Sequence, residues 1–162
     1  MINGSHAGKP MSSLPAVRPM SDDIRIPPHS IEAEQAVLGG LMLDPHAFER
    51  IGDRLHESDF YRRDHRQIFR AIRSLADSGK PFDAVTLGDW FASSRERVPS
   101  ELGTYLADLV NMTPSATNIS AYTDIVRDRS IKRQLLFAGT SIADEALDPS
   151  GPDSQALLES AE

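Results

Sequence analysis

Residues 27–45, which read PPHSIEAEQAVLGGLMLDP, form the stretch of sequence that decides the fold. Pro27 and Pro28 favour an extended entry, because proline fixes its own φ and disfavours helix in the residue before it. Ser30 then offers an N-cap, and two glutamates in the first turns suit the positive end of a helix dipole. The strict capping box is not met, since Ala33 occupies the position from which Glu or Gln would reach back. The stretch therefore predicts a helix that begins after Ser30.

The predicted helix has one apolar face and one face of small residues, so it can pack against two neighbours, one of them closely. Its two adjacent glycines cost about 1 kcal/mol each relative to alanine, and either close packing or a kink must offset that cost. A phosphate-binding loop is not indicated, because no lysine followed by Ser or Thr comes after the glycines. We interpret this segment as a core helix. Its apolar face consists of Ile31, Val37, Leu38, Leu41 and Met42, and its small face of Ala33, Ala36, Gly39 and Gly40.

The composition is that of an ordinary globular protein and excludes several classes. The chain has 162 residues, of which 40% are hydrophobic and 25% charged. Its net charge of −7 opposes a general attraction to nucleic acid, so any such contact needs a local basic patch. The absence of cysteine excludes disulfides and cysteine-ligated zinc. No apolar run approaches the roughly 18 residues of a membrane span. We expect a soluble, cytoplasmic protein without a membrane partner.

The sequence predicts an all-α fold in three parts. Residues 1–26 are rich in Gly, Ser, Pro and Met without any periodicity, so we expect a disordered tail. The opening residues MINGSHAGKP have the composition of a vector-derived remnant, with Met11 or Met20 as the natural start. Residues 27–115 are predicted to form a compact helical head of about five helices. Residues 116–162 are predicted to form a protruding antiparallel helical hairpin.

Capping and turn residues place the remaining helices of the head. Asp44, followed by proline, is predicted to cap a short second helix. A third helix is predicted over 64–78, with Gly79 at its C-terminal end. Thr86 is expected to cap a fourth helix after a short extended link, and Ser100 a fifth.

One long helical pattern runs from about residue 117 to residue 147, and its apolar face changes direction along the way. Ile119, Tyr122, Ile125 and Val126 share one face, whereas the apolar residues after position 130 point elsewhere. Either the second half leaves the head to meet another surface, or the helix kinks at Gly139. Apolar residues that one domain cannot cover usually mark an interface, although a hairpin packed back on the head is the alternative. The predicted oligomer interface consists of Ile131, Leu135, Ala138, Ile142, Ala146, Leu157 and Leu158.

No pattern of catalytic, cofactor-binding or metal-binding residues occurs in the chain. The five histidines are scattered and form no HExxH motif, and the sequence lacks GxSxG, GxGxxG and GxxxxGK[ST]. We therefore predict no catalytic, cofactor or metal site.

The strongest charged cluster is a run of arginines beside Phe60 and Tyr61. Such a face can bind the phosphates of single-stranded DNA, with Tyr61 available for base stacking. The alternative is a solvated helix face whose charges pair with nearby carboxylates, which is the more common meaning of such a run. The cluster consists of Arg62, Arg63, Arg66, Arg70 and Arg73.

Four segments together resemble the N-terminal domain of the bacterial replicative DNA helicase of the DnaB type. They are PPHSIEAEQAVLGGLMLDP, DFYRRDHRQIFRAI, KPFDAVTLGDWF and TPSATNISAYTDIVRDRSIKRQLL, in that order, and the resemblance covers about residues 26–162. It implies a hexameric ring that unwinds DNA 5′ to 3′ by hydrolysing ATP. It also implies that ATP and magnesium bind in a C-terminal RecA-like motor domain that this chain lacks, so the chain itself should be neither an ATPase nor a helicase.

The same resemblance implies the partners of this domain. Family members pair through the hairpin into dimers, and three dimers form the collar of the hexamer. A DnaG-type primase docks on the collar, a helicase loader is a further partner, and DNA is contacted through the full-length protein. We expect partner docking at Tyr105, Leu109, Arg127 and Arg133. The resemblance does not separate a chromosomal helicase from one of a phage or plasmid.

Overall fold

The computed structural model describes residue 4 and residues 25–162, which contain seven α-helices and no strand. The all-α prediction is confirmed, whereas the predicted disordered tail lies almost entirely outside the described residues. A 3₁₀ turn, Glu57–Asp59, precedes the third helix. The helices are α1 (Ile31–Leu43), α2 (Ala47–Ile51), α3 (Arg63–Asp77), α4 (Ala84–Ser93), α5 (Leu102–Met112), α6 (Ile119–Leu147) and α7 (Ser154–Ala161).

Helix α1 lies at the centre of the helical head, which we define as α1–α5. Its N-terminus is capped as predicted, because the backbone N–H of Ala33 donates to Oγ of Ser30 over 3.3 Å. The helix packs against α5, against the first half of α6 and against α3. Every residue from Val37 to Met42 is buried, so the apolar face and the small face are both covered by neighbours.

The two glycines of α1 allow this close packing. A Cβ at Gly39 would lie 2.6 Å from the carbonyl oxygen of Leu109 and 2.9 Å from Cβ of Thr113. A Cβ at Gly40 would lie 3.0 Å from Cδ1 of Ile119. Since α1 continues unbroken through both positions, the glycines serve close helix contact rather than a kink.

Two predicted N-caps are corrected by the structure. Helix α2 begins at Ala47 with His46 at the N-cap position, and Oδ1 of Asp44 accepts from the backbone N–H of His46 (3.1 Å) in the turn before it. The N-cap position of α5 is held by Glu101, without a side-chain capping bond. Ser100 instead donates its hydroxyl to Oε1 of Glu101 (2.8 Å). In both cases the side chain that was predicted to cap forms its hydrogen bond with a neighbouring residue outside the helix.

The extended link predicted before α4 is also wrong. Asp83 caps this helix, since its Oδ1 accepts from the backbone N–H groups of Val85 and Thr86, both at 2.9 Å. Helix α4 therefore begins at Ala84, within the segment predicted to be extended. Helix α3, in contrast, agrees with its predicted range to within one residue at each end. It is followed by Gly79, whose φ of +65° lies in the left-handed region that glycine favours.

Helix α6 is one unbroken helix of 29 residues that belongs to the head at one end only. Its buried residues are Ile119, Thr123, Val126 and Ser130, and none is buried after Ser130. The shift of the apolar face therefore marks the point at which α6 leaves the head. Helix α7 packs against α6 and has no buried residue of its own, so the two form the predicted protruding hairpin.

The head-facing side of α6 differs in part from its prediction. Tyr122 is half-buried and Ile125 is exposed, whereas the polar residues Thr123 and Ser130 take buried positions. Both hydroxyls have partners, because Thr123 donates to the carbonyl oxygen of Ile119 (2.8 Å) and Ser130 donates to Asp59 (2.6 Å). Hydrophobic periodicity does not identify either residue, because a polar side chain can be buried once its hydrogen bond is satisfied, whether within its own helix or by a distant segment.

Candidate interaction surfaces

The distal half of α6, together with α7, carries a continuous set of exposed apolar side chains, which we call the hairpin surface. Six of the seven residues predicted as the oligomer interface are exposed here, and Leu157 is half-buried against α6. Leu135 and Leu158 are 66% and 69% exposed. Large apolar side chains in such number are unusual on a free surface. The six exposed residues are Ile131, Leu135, Ala138, Ile142, Ala146 and Leu158.

Three further apolar residues of the hairpin surface were not predicted. Leu136, Phe137 and Leu147 are exposed by 45%, 77% and 80%. They lie on a different side of α6 from Leu135, so a search for a single apolar stripe omits them. One feature of the sequence does indicate these three residues. Apolar residues occur on all sides of the distal half of α6, which is typical of a helix that neighbours cover on several sides.

A buried carboxylate fastens α6 to the head where the helix departs. Asp59 is 1% exposed, and its Oδ1 accepts from Arg127 (3.0 Å) and from Ser130 (2.6 Å). Arg133 donates to the carbonyl oxygens of Pro28 (2.8 Å) and Asp59 (2.5 Å). Desolvation of its guanidinium by burial lowers the pKa of Arg133. Arg127 and Arg133, both predicted to contact a partner, thus bind the head of their own chain.

A buried polar network connects α1, α3 and α5. Nδ1 of His65 lies 2.5 Å from the carboxylate of Glu34, and its Nε2 lies 2.7 Å from the hydroxyl of Tyr105. The amide of Gln35 donates to the same hydroxyl (3.1 Å), and the second oxygen of Glu34 accepts from the backbone N–H of Tyr61 (2.6 Å). Burial of the phenol raises the pKa of Tyr105. Each buried polar group has a partner, which fits a structural role for His65.

The two residues of α5 that were predicted to dock a partner differ in accessibility. Tyr105 is half-buried, and the guanidinium of Arg62 lies 5.1 Å above its ring. Leu109 is fully buried in the core beside Gly39. The prediction that Leu109 contacts a partner is therefore corrected, because its side chain completes the contact between α1 and α5.

The arginines predicted to form one basic face have separate partners. Arg62 forms an ion pair with Asp64, and Arg70 one with Glu57 (2.5 Å) and one with Glu96 (2.8 Å). Arg73 donates to the carbonyl oxygens of Gly52 and Leu55 and lies over the rings of Phe48 and Phe69. Arg63 and Arg66 are exposed and form no ion pair within residues 25–162.

The ion pair between Arg62 and Asp64 shifts the pKa of both side chains. Burial alone would raise the pKa of Asp64, but the hydrogen bond from Arg62 and the nearby positive charges hold that pKa below its usual value. The same hydrogen bond raises the pKa of Arg62. Tyr61, the predicted stacking residue, has its ring stacked on His29 at 4.3 Å, with Arg133 at 5.6 Å from the ring centre.

Neither a metal site nor a membrane span is found in the part of the chain that the structure describes. No group of three or more His, Asp or Glu side chains is arranged to hold a metal ion there. Among those same residues, no helix combines the length and the apolar character needed to cross a bilayer.

Comparison with known proteins gives a consistent result. Residues 26–128 match the family model described as the DnaB-like helicase N terminal domain. The chain is 41% identical over 157 residues to the replicative DNA helicase DnaB of Haemophilus influenzae, and 44% identical over 123 residues to that of Geobacillus stearothermophilus. These alignments cover 94% and 75% of this chain but 33% and 27% of the helicases. The chain thus spans about a third of the length of such relatives.

Solved structures agree with the sequence matches. The crystal structure of the N-terminal domain of DnaB helicase from Mycobacterium tuberculosis has a TM-score of 0.73 and 32% identity, and the match covers 84% of this chain and 95% of that one. A structure of the N-terminal domain of DnaB helicase from Helicobacter pylori, described together with its interactions with primase, has a TM-score of 0.63 and 25% identity. That match covers 72% of this chain and 90% of the other. The fold, the matched family model and these similarities show that this chain belongs to the family of DnaB-like helicase N-terminal domains.

Proposed function

We propose that this chain is the collar domain of a hexameric, cytoplasmic replicative DNA helicase, in which it mediates ring assembly and docks the primase. The observation that carries the proposal is the hairpin surface, whose large apolar side chains face solvent in the isolated chain. A second observation is that the relatives matched over most of this chain are named replicative DNA helicases.

Pairing of two hairpins would remove these side chains from water. Each fully buried leucine, isoleucine or phenylalanine side chain stabilises by about 1.5–3 kcal/mol, and association costs about 4–15 kcal/mol. Several such side chains from each of the two copies must therefore be buried together. A twofold pairing is self-complementary, because each copy offers the same patch to the other. In the proposed ring, three such dimers form the collar.

The other activities of the proposed helicase belong to parts outside this chain. ATP and magnesium would bind a motor domain, which would also contact DNA and perform the 5′ to 3′ unwinding. The share of the relatives that this chain covers, about a third, leaves room for such a domain. In this proposal the chain contributes assembly and docking and no catalytic residue.

Primase docking is proposed by analogy with the Helicobacter pylori domain, whose structure is described together with its interactions with primase. The half-buried Tyr105 is our candidate contact for a DnaG-type primase, because Gln35 and His65 hold its hydroxyl in place. A preorganised aromatic side chain of this kind is common at the centre of interfaces. A helicase loader is proposed as a further partner of the collar.

Sedimentation equilibrium over a wide concentration range tests the assembly role. We expect the wild-type chain to dimerise and Leu135→Glu to weaken the dimer at least tenfold, because the variant places a charge on the hairpin surface. Val85→Glu is the matched control, since Val85 is an even more exposed apolar residue on α4, far from the hairpin in sequence. This variant should dimerise like the wild type. Equal association of the wild type and Leu135→Glu would contradict the proposal.

A further inference from the structure

The head carries a cationic groove that the proposed assembly role does not use. It lies between α3 and the loop that joins α4 to α5, and no residue of α6 or α7 lines it. Four exposed arginines line it, and three of them, Arg63, Arg66 and Arg97, form no ion pair within residues 25–162. Such a group of unpaired positive charges is unusual in a chain whose net charge is −7.

Two contacts between α3 and the loop keep the groove in shape. The nearly buried side chain of Gln67 donates to the carbonyl oxygen of Arg97 (3.3 Å), which ties the loop to α3. The ion pair of Arg70 with Glu96 (2.8 Å) makes a second tie between the same two elements. Both contacts hold the backbone of the loop against α3 before any ligand arrives, which lowers the backbone entropy lost on binding.

The two carboxylates that line the groove are both paired already. Glu96 binds Arg70 through Oε1, and Asp64 binds Arg62. Oε2 of Glu96 is buried, so a ligand in the groove does not reach it. The unpaired guanidinium groups therefore make the groove suited to an anionic ligand.

The lining of the groove disfavours single-stranded DNA. None of the described residues that line it is aromatic, and proteins that bind single strands without sequence preference depend on aromatic stacking. The nearby ring of Tyr61 is already stacked on His29. Val98 and Pro99 form a small apolar patch at one end of the groove. This patch suits an aliphatic side chain that neighbours a carboxylate in the ligand.

From this geometry we propose that the groove lined by Arg63, Arg66 and Arg97 binds an acidic peptide segment of a partner protein. The guanidinium groups receive the carboxylates of the segment, and an aliphatic side chain rests on Val98 and Pro99. Guanidinium groups suit this task, because their fork of donors matches a carboxylate.

Fluorescence anisotropy tests this proposal with a short labelled peptide composed of aspartate, glutamate and leucine. We expect the wild-type chain to bind it and the double variant Arg63→Ala/Arg97→Ala to bind about tenfold more weakly, because each partly exposed ion pair contributes roughly two- to fivefold. Arg95→Ala is the matched control, since Arg95 is an exposed arginine of the same loop that does not line the groove. It should bind like the wild type. Circular dichroism verifies that all variants are folded.

Three results would overturn the proposal. The first is that the wild type does not bind the peptide. The second is that Arg95→Ala weakens binding as much as the double variant, which would mean attraction by general charge. The third is that a labelled oligothymidylate binds more tightly than the peptide and loses its affinity in the double variant, which would make the groove a phosphate site.

Discussion

At the scale of single residues, the fold depends on a glycine without a side chain as much as on the large residues of the core. Gly39 lets α1 approach the end of α5 so closely that a Cβ would overlap with the carbonyl oxygen of Leu109. In an isolated helix, alanine would be preferred at this position by about 1 kcal/mol. The tertiary contact therefore outweighs the local helix propensity.

The substitution Gly39→Ala is expected to destabilise the chain by about 1–3 kcal/mol, because overpacking forces two helices apart. Urea denaturation followed by circular dichroism measures this change. Gly88→Ala is the matched control, since no atom lies within 4 Å of a Cβ added at Gly88 in α4. That variant should be more stable than the wild type by up to about 1 kcal/mol. A neutral or stabilising effect of Gly39→Ala would show that α1 and α5 can separate at little cost.

At the scale of secondary structure, a side-chain hydrogen bond caps the N-terminus of three of the seven described helices. Ser30, Asp83 and Asp153 cap α1, α4 and α7 through hydrogen bonds to backbone N–H groups. Only the first of these was identified from the sequence as the capping residue. The short polar residues around the others compete for the same role, and the structure decides among them.

Replacement of Asp83 by alanine tests the capping of α4. We expect a loss of about 1 kcal/mol, because two backbone N–H groups lose their shared acceptor. Thermal denaturation measures the loss as a lower Tm. Ser100→Ala provides the comparison, since Ser100 makes no capping bond to α5, and its effect should stay within about 0.5 kcal/mol. If Ser100→Ala were the more damaging variant, the assignment of caps in the structure would be wrong.

At the scale of the whole molecule, the chain divides into a well-packed head and a hairpin that lacks a core of its own. The head buries most of its large apolar residues, whereas α7 buries none and α6 none beyond Ser130. Asp59, Arg127 and Arg133 join the two parts at the point where α6 leaves the head. The hairpin is thus presented outward from a fixed base.

Hydrogen exchange should show this division. In dilute solution, amides of residues 134–147 and 154–161 should exchange much faster than those of residues 37–42, because few buried contacts oppose local opening. At concentrations at which the chain associates, exchange in the hairpin should slow markedly. Leu135→Glu should keep the fast exchange at every concentration. Strong protection of the hairpin in the dilute wild type would contradict a hairpin without a core.

The sequence by itself determined the all-α class, the centre of the fold at α1, the position of α3 and the existence of a hairpin. Each of these depends on periodicity or on turn residues, which are local properties. Only the tertiary structure decided that Thr123 and Ser130 face the core, that Leu109 is buried, and that the arginines of α3 divide between paired and free. The burial of Ser130 and the pairing of Arg70 depend on partners in other segments, namely Asp59, Glu57 and Glu96. Thr123 bonds within its own helix, and it is buried because α6 packs on the head at that position. Neither the distant hydrogen-bond partner nor the packing of two helices is recorded in a local sequence pattern.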